Sequence, residues 1–153
     1  FILLAIAISG ALGPGINNTL ISLSIVFTPP ITRVAESMTT SVRAMDFVES
    51  ARASGAGNFT IIRYHIVANV AGSIVIYATT LVGVSIIAAA GLSFLGLGVS
   101  PPNAEWGIML NSLRQSIYID IWVPALPGLM IFITSMSFNL LSDGLRDALD
   151  VRL

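Results

Sequence analysis

Three long stretches without a charged side chain constrain this 153-residue chain more than any other feature. They run from Phe1 to Thr32, from Tyr64 to Ala104 and from Ile121 to Ser142. A helix needs about 20 apolar residues to cross the roughly 30 Å hydrocarbon core of a bilayer. We therefore interpret all three stretches as embedded in a membrane. Buried helices of a soluble protein are the alternative, but they would leave almost no charged surface to keep the chain in solution.

The composition agrees with a membrane protein. Hydrophobic residues make up 55% of the chain and charged residues only 10%, whereas soluble domains carry about 25% charged residues. The mean hydropathy is +0.89. The formal net charge is −1 and no basic cluster is present, so we expect no nucleic-acid partner.

The chain lacks residue types that several kinds of chemistry require. The chain has no cysteine and one histidine, which argues against a thiol nucleophile and against a transition-metal site. It has no lysine, and a phosphate-binding P-loop ends in Gly-Lys-Ser/Thr, so another subunit would have to hydrolyse any ATP. A catalytic Ser93–His65 pair is not expected, because the predicted topology puts these residues at opposite membrane boundaries. No catalytic residue and no metal ligand is therefore assigned.

Turn residues divide the apolar stretches into predicted helices. Gly13, Pro14 and Gly15 end a first helix, because glycine accepts positive φ and proline fixes its own φ. Three further spans are predicted at about residues 18–34, 66–91 and 123–141. Side chains that often cap helices stand where four helices are predicted to begin, namely Asn17, Asp46, Asn58 and Asn103.

The arginines predict the orientation. Residues 33–63 carry four arginines, residues 91–120 carry one, and the tail after Ser142 carries two. Positive charge is enriched on the cytoplasmic side of inner-membrane proteins. We therefore expect residues 33–63 and the tail to be cytoplasmic in a multi-pass inner-membrane protein. Residues 91–120 would form an extracytoplasmic loop with a short amphipathic helix capped by Asn103.

The chain begins at Phe1 inside an apolar run, which suggests that an N-terminal part is missing. A signal peptide in "FILLAIAISGALG" is the alternative, but this segment lacks the positively charged start that signal peptides have.

Two segments are candidate functional sites. In "DFVESARASGAGNFTIIRYH", residues 46–65, a slim helix at about 47–54 with a stop at Gly55 could insert into a groove on another protein. A connecting helix resting on lipid headgroups is the alternative. In the span 66–91, small and polar residues form one stripe, and four of them are candidates for lining a solute path: Asn69, Ser73, Tyr77 and Thr80. Ordinary helix packing is the alternative for each of them.

Three motifs resemble a known family. "ESARASGAGNFTIIRYHIVAN" resembles the EAA loop of membrane subunits of bacterial ABC importers, with Glu49, Ser50 and Ala51 in place of Glu-Ala-Ala and Gly55 at the following glycine. "SFLGLGVSPPNAEWGIML" and "FNLLSDGLRDALDVRL" look like the C-type permease subunit of dipeptide, oligopeptide and nickel importers. Ser50 departs from the family's alanine, and Ala68 stands where the family usually has proline.

The resemblance implies an all-α type I ABC importer transmembrane domain, of which residues 1–153 would be the last four of about six helices. Its implied partners are a second, B-type permease, two ABC ATPase subunits, an extracytoplasmic substrate-binding protein and the lipid bilayer. ATP and Mg²⁺ would bind the ATPases, with no cofactor on this chain. The loop 33–63 would contain the coupling helix, and the implied ATPase-docking residues are Glu49, Ser50, Ala51, Gly55, Ala56 and Asn58.

The function implied is import of peptides, or of nickel or related small solutes, without enzymatic activity in this chain. The rival hypotheses are a channel or ion-coupled carrier without ATPase partners, and a membrane scaffold without transport activity. An intramembrane enzyme is the third. The sequence alone does not identify the substrate.

Overall fold

The computed structural model describes residues 1–149, and their secondary structure is helical. The principal helices are α1 (Ile2–Leu12), α2 (Ile16–Arg43), α3 (Asp46–Ala53), α4 (Asn58–Thr60), α5 (Ala68–Phe94), α6 (Trp106–Leu113) and α7 (Trp122–Leu149). A π-helical segment, Ile61–Val67, joins α4 to α5, and a 3₁₀ segment, Arg114–Tyr118, follows α6. Helices α4 and α5 and the π-helical segment thus form one continuous helix, Asn58–Phe94.

Within residues 1–149, two helices are long and apolar enough to cross a membrane, Asn58–Phe94 and Trp122–Leu149. Helix α1 is apolar but shorter. Exposed leucine, isoleucine, valine and phenylalanine side chains cover the outer faces of these helices, as expected where lipid replaces water. The structure therefore has the all-helical, multi-pass form that the charge-free stretches predicted.

Helices α5 and α7 pack against each other through small polar residues. The Ser135 hydroxyl donates a hydrogen bond of 3.0 Å to the Gly83 carbonyl, and the Ser142 hydroxyl donates one of 2.9 Å to the Ile76 carbonyl. Small residues let two membrane helices approach closely enough for such bonds. Because later residues of α7 meet earlier residues of α5, the two helices run antiparallel.

Helices α1 and α2 share a core with α5 toward the C-terminal end of α5. Their shared core contains Ala5, Leu23, Val26, Phe27 and Leu92. At the same end, the Gly15 N–H donates a 2.7 Å hydrogen bond to the Gly98 carbonyl. This bond connects the turn between α1 and α2 to the loop that follows α5.

Two helices extend further than the sequence predicted. The second helix was expected to end near residue 34 but continues to Arg43, and the last was expected to end near residue 141 but continues to Leu149. The predictions took the first charged residues as helix ends. A helix can leave the apolar region without ending, because its backbone hydrogen bonds are satisfied internally in water and in lipid alike.

The predicted N-caps were wrong by one or two positions. The observed N-cap residues are Gly15, Met45, Gly57 and Glu105 in place of Asn17, Asp46, Asn58 and Asn103. Of these four, Glu105 caps with its side chain, which accepts from the Ile108 N–H at 3.1 Å. Asn18 instead donates to the carbonyls of Leu12 and Gly13, at 2.9 and 3.1 Å, and so satisfies the C-terminal end of α1.

The loop after α5 folds back against that helix. Gly96 has a φ of 79°, and the Leu97 N–H donates to the Leu92 carbonyl at 2.9 Å, which is the hydrogen bond of a Schellman turn. Helix α6 then lies against α5, where a Cβ at Gly107 would overlap the Ala90 carbonyl. The predicted short amphipathic helix is present, and one of its faces is packed on α5.

Candidate functional site

The helix–turn unit formed by α3 and residues 54–57, here called the hairpin, ends in a well-defined turn. Gly55 has a φ of 85°, and its N–H donates to the Arg52 carbonyl at 3.0 Å. The Ala56 N–H donates to the Ala51 carbonyl at 3.1 Å. These two bonds form a Schellman motif, with Gly55 in the left-handed position. The predicted stop at Gly55 is therefore confirmed.

The hairpin has an inner and an outer face. Val48 is 1% exposed and packs in a cluster with Val42, Ile61 and Val70. Ala51 and Ala56 pack against the same cluster. The cluster attaches the hairpin to the end of α2 and to the start of the long helix that contains α5.

The six predicted docking residues therefore divide into two groups. Ala51 and Ala56 lie on the inner face and hold the hairpin in place. The other four lie on the exposed side: Glu49, Ser50, Gly55 and Asn58. A surface that contacts another protein would consist of the second group and its exposed neighbours, whereas the first group would affect such a contact through the position of the hairpin.

The connection from the hairpin into α5 is a continuous helix. The π-helical segment Ile61–Val67 contains the single histidine, whose ring lies 6.0 Å from the ring of Phe47 between centroids. The His65 ring therefore packs near Phe47 at the entrance to this helix. Asn69, in the first turn of α5, donates to the His65 carbonyl at 2.6 Å. Sequence reasoning missed the π-helical segment, because no residue pattern distinguishes it from an α-helix.

A cleft of about 670 Å³ opens between α2, α5 and α7 near the hairpin end of the molecule. It is lined by ten residues, Val34, Met38, Ala68, Asn69, Gly72, Ser73, Ile76, Tyr77, Arg146 and Leu149. Three of the four predicted path residues, Asn69, Ser73 and Tyr77, are thus brought together in one cleft.

Thr80 is placed differently. Its hydroxyl forms a hydrogen bond with the Ser142 hydroxyl in the contact between α5 and α7, and it also donates to the Ile76 carbonyl at 3.2 Å. It does not line the cleft. Thr80 therefore has the helix-packing role that was the alternative for each residue of the stripe. Gly83 lies in the same contact between α5 and α7.

Sequence reasoning missed Arg146 as a cleft residue. It was assigned to a polar tail because α7 was expected to end near residue 141. At 100° per residue, Arg146 lies only about 40° around the helix from Ser142, which packs against α5. A longer α7 would have predicted that Arg146 faces the same neighbour.

Ser93 and His65 do not form a catalytic pair. The Ser93 hydroxyl accepts a hydrogen bond of 3.2 Å from the Val99 N–H. His65 and Ser93 are separated by about 42 Å along one continuous helix, at 1.5 Å per residue. Among residues 1–149, no group of three or more histidine, cysteine, aspartate or glutamate side chains could hold a metal ion.

The fold and this site define an all-α, multi-pass membrane protein with a packed hairpin at one end and a cleft behind it. Residues 1–153 match the family described as binding-protein-dependent transport system inner membrane component. The chain belongs to this family of ABC importer permeases, and its fold is that of a type I ABC importer transmembrane domain.

Named relatives are close in sequence. The chain is 47% identical over 152 residues to the glutathione transport system permease protein GsiD of Escherichia coli O157:H7 and to that of Shigella flexneri serotype 5b (strain 8401). Each alignment covers 99% of this chain and 50% of the relative. The chain therefore spans about half the length of the curated relatives it matches.

Proposed function

We propose that this chain is the permease subunit of an ATP-driven importer and forms part of the solute path across the inner membrane. Membership of the family supports this proposal. In it, the chain acts with a second permease subunit, two ABC ATPase subunits and an extracytoplasmic substrate-binding protein. ATP and Mg²⁺ bind the ATPases. A channel or carrier without ATPase partners is the less favoured function, because the matched family is binding-protein-dependent.

The observation that carries the proposal is the rigid attachment of the hairpin to a membrane helix. Val48 is buried in a cluster that includes Ile61 and Val70, so the hairpin packs directly on the helix that it would have to move. Its outer face remains exposed around Glu49 and Ser50. An amphipathic helix with one anchored and one free face is suited to docking in a groove of another protein.

The mechanism follows from this arrangement. Closure of the ATPases on ATP would displace the hairpin, and the continuous helix Asn58–Phe94 would carry this displacement through the membrane. The cleft lined by Asn69, Ser73 and Tyr77 lies beside the first turns of α5, within that continuous helix. The movement would open or close the cleft, in a two-state change that nucleotide biases.

We propose a short peptide as the solute, with glutathione as the first candidate because the 47% identical relatives are named glutathione transport permeases. A cleft of about 670 Å³ is compatible with a solute of this size. Nickel or another small solute is the second possibility, and uptake assays with both solutes distinguish them.

Substitution of Gly55 tests whether the hairpin couples ATP hydrolysis to solute uptake. No atom lies within 4 Å of a Cβ added at Gly55, so its left-handed φ is the constraint. Asparagine tolerates this region whereas a β-branched residue does not. In the transporter reconstituted with its partner subunits, we expect Gly55→Val to reduce uptake at least about fivefold, as expected for a loss of 1–2 kcal/mol in the turn, while ATP hydrolysis continues.

Gly55→Asn is the matched control and should retain most of the uptake. The amount of each variant in the membrane is measured alongside, because reduced insertion would mimic uncoupling. Wild-type uptake by Gly55→Val, at normal membrane levels, would contradict the coupling role of the hairpin.

A further inference from the structure

We propose that Arg146 binds an anionic group of the transported solute in the cleft between α2, α5 and α7. The proposal rests on the transport function proposed above and assigns that site its solute chemistry. The solute class is a peptide or similar compound with a free carboxylate.

The position of Arg146 follows from the contact between α5 and α7. Ser142 is 1% exposed and hydrogen-bonded to α5, and Arg146 lies one helical turn further along the same face of α7. Gly72 of α5 faces Leu149, with 3.9 Å between an added Cβ and the leucine Cδ1. Arg146 thus lies between two positions that contact α5, where the two helices border the cleft.

The chemistry of the cleft is that of a site for a polar anion. Arg146 is the one charged side chain among the ten lining residues, all of which lie in the described part of the chain. Its acidic neighbours on α7, Asp143 and Asp147, do not line the cleft. No carboxylate on α2 or α5 lines the cleft beside this positive charge.

The wall formed by α5 supplies uncharged hydrogen-bonding groups. Asn69, Ser73 and Tyr77 follow one another at four-residue intervals along α5 and therefore lie on one face of that helix. The side-chain nitrogen of Asn69 donates to the His65 carbonyl, and its side-chain oxygen is a hydrogen-bond acceptor. A guanidinium on one wall and amide and hydroxyl groups on the other match a carboxylate-bearing peptide, which has both acceptors and N–H donors.

An arginine near a helix C-terminus also interacts favourably with the helix dipole and with lipid phosphates. Both of these roles would place positive charge near the membrane surface without making the cleft selective for anionic solutes. The experiment must therefore measure charge selectivity inside the cleft.

Because residues 1–153 contain no cysteine, a single introduced thiol in this segment allows a direct measurement. Ser73→Cys places one thiol in the cleft of the assembled transporter. Its reaction rates are measured with a sulfonate-bearing and with a trimethylammonium-bearing methanethiosulfonate of similar size. We expect Arg146→Gln to reduce the ratio of the two rates about tenfold, because the charge that attracts the anion and repels the cation is removed.

Arg114→Gln, in the 3₁₀ segment after α6, removes one charge from the other end of the molecule and should leave the ratio unchanged. Arg146→Lys should retain most of the wild-type ratio of the two rates. An unchanged ratio in Arg146→Gln, or a thiol that reacts with neither reagent, would overturn the proposal. A lipid-anchoring role predicts less Arg146→Gln protein in the membrane at an unchanged rate ratio.

Uptake supplies the second readout, with radiolabelled glutathione as the probe. Arg146→Gln should lower uptake about tenfold at low concentration, the loss expected for one charge-assisted hydrogen bond. Arg146→Lys should largely restore uptake. If the wild-type transporter does not import glutathione, the proposed substrate is wrong, and the rate ratio at Ser73→Cys still tests the anion site. Normal uptake by Arg146→Gln would contradict the inference alone.

Discussion

At the scale of single residues, Gly83 sets how closely α5 and α7 approach each other. A Cβ at this position would lie 2.9 Å from the Ser135 carbonyl oxygen, a backbone atom that cannot move away alone. It would also crowd the Ser135 hydroxyl, which donates to the Gly83 carbonyl. The close contact of the two spanning helices therefore depends on the absence of a side chain here.

We predict that Gly83→Ala destabilises the protein by about 1–3 kcal/mol, the usual cost of overpacking. Gly91→Ala in the same helix is the matched control, because no atom lies within 4 Å of its added Cβ. The control should be neutral or stabilising by up to about 1 kcal/mol, since alanine has the higher helix propensity. Thermal unfolding in detergent measures both. Equal unfolding temperatures for the two variants would contradict the packing role of Gly83.

At the scale of elements, the hairpin is attached through the cluster around Val48. Val48 is the most buried residue of its cluster, at 1% exposure. Val48→Ala removes two methyl groups and should weaken the attachment of the hairpin by about 1–3 kcal/mol. The hairpin should then open locally more often, so trypsin should cleave after the exposed Arg52 more rapidly.

Val75→Ala is the matched control for this prediction. The substitution is the same, but Val75 is 53% exposed and lies in the middle of the long helix, so cleavage after Arg52 should keep its wild-type rate. An equal rate in Val48→Ala would show that the cluster around Val48 does not hold the hairpin.

The existence of the elements could be read from the sequence, whereas their ends could not. The apolar stretches predicted the helices, two of which are long and apolar enough to cross a membrane among residues 1–149, and the residue types of "ESARASGAG" predicted the hairpin and its stop at Gly55. The helix ends predicted near residues 34 and 141 were wrong, because charge marks where a helix meets water and not where it ends. Arg146 was missed for the same reason: its place in the cleft depends on a helical turn that lies beyond the apolar stretch.

At the scale of the whole molecule, the two candidate contact regions lie at opposite ends of one long helix. The hairpin precedes Asn58, and the loop that holds Gly98 against Gly15 follows Phe94. A helix of 37 residues extends about 55 Å, which exceeds the thickness of a bilayer with its headgroups. The hairpin and the loop with α6 should therefore emerge on opposite sides of the membrane.

We predict that the hairpin side is cytoplasmic, because the four arginines of residues 33–63 outweigh the one arginine of residues 91–120. Single cysteines at two exposed serines test this, Ser37→Cys in α2 and Ser112→Cys in α6, since residues 1–153 contain no cysteine. A membrane-impermeant maleimide added to spheroplasts should label Ser112→Cys at once, but Ser37→Cys only after permeabilisation. The reverse pattern would place the hairpin outside the cell, where no ATPase could reach it, and coupling through Gly55 would then be excluded.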